Sequence, residues 1–412
     1  MRVGDKLVAS LLLLVLSAPA WSAKKVDLDY HVKLLPQSDQ AEVRLSLSQG
    51  SAVRSLNFNL GRDGDYSDFK ADGQWQVMAG NTAGDSRGLW QPSAAKASLT
   101  YRVRLGHARK PGIDEARMTP SWALFRGEDL VPVARLDLPE GVELVSRLTF
   151  ELPAGWKSVE TAWPRIGKNK FRIDNVSRLF DRPTGWMLAG TLGSRRVRLG
   201  ETEITVASPK GQGMRRMDVL TLLTFVWPQV QAALPRYPAK LLVVGASDPM
   251  RRGAFFARDS LYLNSRTPLV SENGSSPLIR EVVQAIARFN DSQASDWISE
   301  GLAEYYAIEL VRRAGGISDE RYTAIQARLN KEGKAVKTLR GDQVSGATVA
   351  RAVVMLQELD REIRLKTQNK RSMDDLAQAV MRMNSINTKE FVQLAENIMG
   401  EPSVVLDTQL LH

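Results

Sequence analysis

The spacing of apolar residues changes period once along this chain, and that change limits its possible folds more than any other feature. From about Lys24 to Ser208 the period is two. In AEVRLSLS, Val43, Leu45 and Leu47 alternate with Glu42, Arg44 and Ser46; in SLTYRVRL, Leu99, Tyr101, Val103 and Leu105 share one face. Successive strand residues point to opposite sides, so this pattern predicts a sheet with one buried and one solvated face, the usual form of antiparallel sheets. Pro and Gly at LPEG, LPAGW and DRPTGW separate further short strands. After GQGMRR the period becomes helical. Met217 to Leu234 carries an apolar stripe, KLLVVGA (Lys240 to Ala246) and SLYLN (Ser260 to Asn264) read as buried strands, and beyond Ser318 nearly everything reads as helix. The expected fold is α+β and multidomain: an N-terminal antiparallel β domain, an α/β segment, then a C-terminal helical domain.

The leader MRVGDKLVASLLLLVLSAPAWSA sets Arg2 and Lys6 before a leucine-rich run from Leu7 to Leu16, followed by small residues around Ala20 to Ala23. This is the pattern of a secretory signal peptide over residues 1–23, with retention as an N-terminal anchor the other reading. The run is shorter than the roughly 20 apolar residues a bilayer span needs, and no later segment qualifies as a transmembrane helix. A periplasmic or secreted home is therefore expected. The chain has no cysteine, so no disulfide contributes to its stability. Its formal charge of +10 is read as a solubility or envelope-contact property, not as nucleic-acid binding, because the leader routes the chain away from nucleic acid. The densest basic cluster, GSRRVRL (Gly193 to Leu199), reads as a solvated strand edge.

In PLIREVVQAIARFNDSQASDWISEGLAEYYA, Pro277 to Ala307, Ser276 precedes the stretch as a helix cap and Pro277 stands in the first turn. Leu278, Ile279, Val282, Val283 and Ile286 form the apolar face, and Trp297 to Arg313 reads as a second helix. A helical zinc-peptidase site places two histidines at i and i+4 on one helix face, with a Glu beside the first as general base. Here the corresponding places hold Arg280, Glu281 and Gln284: the base survives and both imidazoles are absent.

WISEGLAEYY resembles the third-ligand motif of the gluzincin peptidases. FRIDNVSRLFDRPTGWMLAG resembles the strand region before the catalytic domain of the glycyl aminopeptidase family, and LDREIRLKTQNKRSMDDLAQAV, Leu359 to Val380, its C-terminal helical signature. The resemblance implies a thermolysin-like domain and the boundaries 24–208 (β-sandwich-like), 209–316 (thermolysin-like) and 317–412 (helical). It implies zinc as the family's metal, with Glu300 at the third-ligand position and Arg280 and Gln284 at the two lost ones. It also implies an oxyanion-stabilising Tyr, where this sequence has Val349 and Ala350, and a substrate-edge strand in RRGAFFARDSLYL. The family's PDZ domain is not expected within these 412 residues.

No cofactor is expected, since a set of Glu281, Glu300 and Glu304 would be all oxygen. Arg280 is expected to place a guanidinium where the metal charge would stand and to pair with Glu300 or Glu281, Gln284 adding a neutral hydrogen bond. Glu304, Trp297 and Tyr305 are the cleft candidates. The expected function is an inactive pseudopeptidase that binds a peptide or an envelope protein. One rival is an active metallo-aminopeptidase or other hydrolase with an altered metal site and Glu281 as base; another is a structural role alone.

Overall fold

The computed structural model describes residues 24–62, 64–174, 180–272 and 274–412. The leader over residues 1–23, and residues 175–179 within the FRIDNVSRLF stretch, lie outside the described residues.

A seven-stranded sheet runs in the order Arg165–Gly167, Lys170–Ile173, Val142–Glu151, Lys24–Leu35, Gln40–Leu47, Ala97–Arg104, Tyr66–Ala71. The predicted faces hold: Val43 and Leu45 are fully buried while Arg44 is exposed. The pairings are antiparallel except at the centre, where Lys24–Leu35 lies parallel to Val142–Glu151. Parallel neighbours need a long crossover, and here the intervening strands supply it. A four-stranded sheet and a five-stranded sheet close the same core, filled by Tyr30, Phe58, Trp90, Phe125, Phe150 and Phe171.

A second five-stranded sheet follows, in the order Leu192–Leu199, Thr202–Pro209, Lys240–Val244, Ser260–Leu263, Ala254–Ala257. The three inner strands are parallel and both outer ones antiparallel. The basic GSRRVRL segment is one outer strand, with Arg195, Arg196 and Arg198 exposed, and Ala254–Ala257 is the other. Helices Arg216–Ala233, Pro277–Ala287, Trp297–Arg313, Asp319–Gly333, Ala347–Lys366, Met373–Val380 and Thr388–Met399 share one core with this sheet, continuous from Ile204 to Leu411. Helices Trp297–Arg313 and Ala347–Lys366 approach closely at Gly301, where a Cβ would stand 3.0 Å from that of Ala352. No helix among the described residues is long and apolar enough to cross a membrane.

The two regions meet through a third apolar cluster, in which Trp122, Leu124, Trp186 and Leu188 face Leu242, Val244 and Tyr262. The backbone N–H of Trp186 donates to Ser260 Oγ at 2.7 Å, and its indole N–H to the carbonyl of Phe255 at 3.0 Å. Glu160, buried at the end of strand Ser158–Glu160, accepts from Arg196 on the outer strand of the second sheet. The β region thereby holds the hairpin Ala254–Leu263 in place.

Candidate functional site

Ser276 Oγ accepts from the N–H of Ile279 at 3.2 Å, so the helix opens on a side-chain cap with Pro277 in its first turn. Burial of Leu278, Ile279, Val282, Val283 and Ile286 in the core fixes the rotation of this helix. Arg280 is consequently turned toward the helix Trp297–Arg313 and Glu281 toward the hairpin.

The Arg280 guanidinium lies among three carboxylates. Nη1 donates to Glu281 Oε1 at 2.8 Å, Nη2 donates to Glu300 Oε2, and Nε stands 3.5 Å from Glu304 Oε2. The second oxygen of Glu281 accepts the N–H of Phe256, on the edge strand, at 2.9 Å. Burial weakens the hold of Arg280 on its proton, but the charges of Glu300, Glu281 and Glu304 together outweigh it and raise its pKa. For Glu281 burial prevails: it pushes the carboxyl pKa up despite the opposing Arg280 charge and the Phe256 N–H.

A cavity of about 280 Å³ opens on this cluster, lined by Arg280, Glu300, Glu304, Leu329, Glu332, Val349 and Ala350 among others. The positions that the resemblance assigned to the oxyanion Tyr, Val349 and Ala350, thus reach the cavity with apolar side chains. Gln284 is buried, and among the described residues its side chain makes no hydrogen bond to the cluster. Two cleft candidates belong instead to the core. Trp297 is fully buried at the helix start, where helix Thr388–Met399 covers it: its indole N–H donates to Thr388 Oγ1 at 3.0 Å and its ring meets Phe391 edge-on. Tyr305 is turned about 100° from Glu304 around the helix, packs edge-on against Tyr306, and has its phenol pKa pushed up by burial.

Sequence reasoning missed two contributors. The Phe256 N–H carries no side-chain signal, although its strand was singled out. Asp296 also escaped notice: burial first, then the neighbouring Asp291, raise its carboxyl pKa to about 6, with Asp342 and Glu300 adding to the shift.

Zinc sites are built from imidazole, thiolate and carboxylate donors with lone pairs to give. A guanidinium has none, keeps its proton, and would repel a cation placed between Glu281 and Glu300. Position 284 offers only an amide. This donor set does not fit a zinc ion.

No protein-family model matches this chain, and no curated protein sequence matches it. Solved structures match in fold. An aminopeptidase N family protein from Idiomarina loihiensis aligns with a TM-score of 0.63 at 14% identity, over 91% of this chain and 71% of its own. An M1 zinc metallopeptidase from Deinococcus radiodurans, solved as a mutant bound to a Tyr-Ser-Ala substrate, gives 0.55 at 13% identity over 94% of this chain and 93% of its own. Native yeast LTA4 hydrolase gives 0.55 at 13% identity, over 94% of this chain and 66% of its own. The chain has the multidomain fold of the M1 zinc metallopeptidases, a gluzincin-like fold with an N-terminal β domain and a C-terminal helical domain, as the motifs led one to expect.

Proposed function

We propose that this protein is an exported pseudopeptidase: a zinc-peptidase fold whose metal positions hold an internal ion-pair cluster, and whose cleft binds a peptide or an envelope protein without cleaving it. The observation that carries this reading is the Arg280 guanidinium bonded to both Glu281 and Glu300. A general base takes the proton from water on a carboxylate lone pair, and is less basic the more its oxygens are already bonded. Both oxygens of Glu281 are engaged, one by Arg280 and one by the Phe256 N–H. The leucine-rich leader supports export to the periplasm. On this reading residues 24–208 form the β domain, 209–316 the former catalytic domain and 317–412 the helical domain.

Metal content and hydrolysis test the proposal together. The purified protein is expected to carry far less than one zinc per chain by elemental analysis and to leave aminopeptidase substrates intact. Arg280→His combined with Gln284→His restores the i, i+4 spacing beside Glu300, and is expected to gain zinc. Stoichiometric zinc in the unaltered protein, with a peptidase activity abolished by Glu281→Gln, would overturn the reading. Ligand binding is tested separately by a thermal-shift screen of peptides, since a ligand that binds only the folded state raises its melting temperature.

A further inference from the structure

A second cavity, of about 650 Å³, lies where a hairpin of the β region meets the loop before the edge strand. The hairpin comprises His107–Lys110 and Ile113–Met118. It is tied to the loop through Asp114, whose N–H donates to the Pro249 carbonyl at 2.9 Å and whose carbonyl accepts the Arg251 N–H at 2.8 Å.

The lining brings together four cations, Arg109, Lys110, Arg251 and Arg252, and one carboxylate, Asp248. That carboxylate is already engaged. It accepts from Arg252 at 2.9 Å and lies 3.4 Å from Arg266, which leaves no lining anion for the hairpin residues. Arg109 and Lys110 are exposed, and among the described residues neither side chain has an ion-pair or hydrogen-bond partner. Arg251 is held rigidly: its guanidinium sits 3.8 Å over the Phe255 ring, which is itself stacked on Tyr262, and Nη1 lies 3.3 Å from Glu115. Burial, and next the Arg109 charge, lower the pKa of Arg251, although the Glu115 carboxylate beside it pulls the other way.

Like charges at a concave surface focus their field, and a fixed guanidinium fork matches the geometry of oxyanions. We infer that this cavity binds a ligand through a carboxylate or phosphate group, with Arg109, Lys110 and Arg251 as its recognition groups and Ile113 and Pro249 as apolar wall. Its lining shares no residue with the cavity at the Arg280 cluster, and its occupancy does not depend on whether the protein hydrolyses peptides.

Calorimetric titration of the full chain with pyrophosphate, with a triglutamate peptide and with its triglutamine counterpart tests the inference and distinguishes the two sources of the anion. Saturable binding of pyrophosphate or triglutamate, but not triglutamine, is expected. It should weaken as the screening length falls from about 30 Å at 0.01 M salt to about 8 Å at physiological ionic strength. Arg109→Ala combined with Lys110→Ala should weaken it about tenfold or more, the loss expected on removing charge-assisted hydrogen bonds. Arg195→Ala with Arg198→Ala, which removes the same charge from the exposed outer strand, should leave it within about twofold. Absence of saturable binding by both anions, or equal weakening by the two double variants, would overturn the inference.

Discussion

Arg280 compensates three acidic neighbours at once, which makes its charge the most consequential in the site. Arg280→Met keeps the apolar stem and removes the guanidinium, and should cost roughly 1–3 kcal/mol near neutral pH by leaving the carboxylates unpaired. Without the cation the Glu281 carboxyl pKa, already raised by burial, rises further, so the deficit should grow as pH rises and shrink as it falls. Urea unfolding at about pH 5 and about pH 8 checks this; an equal deficit at both would contradict the pairing. Asp296 has the same sign on its own, with a folded pKa raised to about 6. The contribution of this group to stability therefore grows as pH falls from about 7 toward the unfolded carboxyl pKa of about 3.9. Asp296→Asn should flatten that gain and melt higher near pH 7 in thermal scans. At this scale the resemblance to the gluzincin motifs made Arg280, Glu281 and Glu300 legible, since helical spacing alone reads them as ordinary polar stripes. Trp297 and Tyr305 were not separable from Glu304, since spacing along one helix does not say what packs on each side of it.

Helix entry decides whether the Arg280 side chain arrives at the carboxylates. Ser276 is fully buried; it accepts from Ile279 and donates to the Leu269 carbonyl at 2.5 Å, joining the cap to the preceding loop. Ser276→Ala should therefore cost about 1–2 kcal/mol, at the upper end for a lost cap. Faster amide exchange at Ile279 and Arg280 would accompany it; exchange unchanged there would show that the cap does not hold this turn. Caps and apolar stripes made the helices legible: Pro277–Ala287 and Trp297–Arg313 start where Ser276, Pro277 and Trp297 indicated. Alternation likewise told which residues of Gln40–Leu47 face inward. It is silent about partners, because a strand shows the same two faces whichever neighbour it takes, and so the parallel pairing of Lys24–Leu35 with Val142–Glu151 was not readable.

Across the whole molecule, the β region serves the site by gripping the hairpin that faces it. Trp186 is the clearest grip, with one hydrogen bond to Ser260, one to Phe255 and a ring contact with Tyr262. Trp186→Phe keeps an aromatic ring but loses the indole N–H and the volume of the fused ring, and should cost about 1–3 kcal/mol. It should also speed amide exchange along Ala254–Ala257, measurable by mass spectrometry; an unaltered strand would mean that the β region does not anchor it. The order of motifs along the chain foretold the fold, but this docking depends on groups far apart in sequence and left no local pattern. Phe256 shows what the docking achieves. The outermost strand of a sheet exposes N–H and C=O groups that invite pairing with another chain, and Phe256, 43% exposed, adds an apolar side chain at that margin. By accepting the Phe256 N–H, Glu281 closes part of that margin. The Glu281 carboxylate thus leaves one donor fewer on this edge for a strand of another chain to pair with.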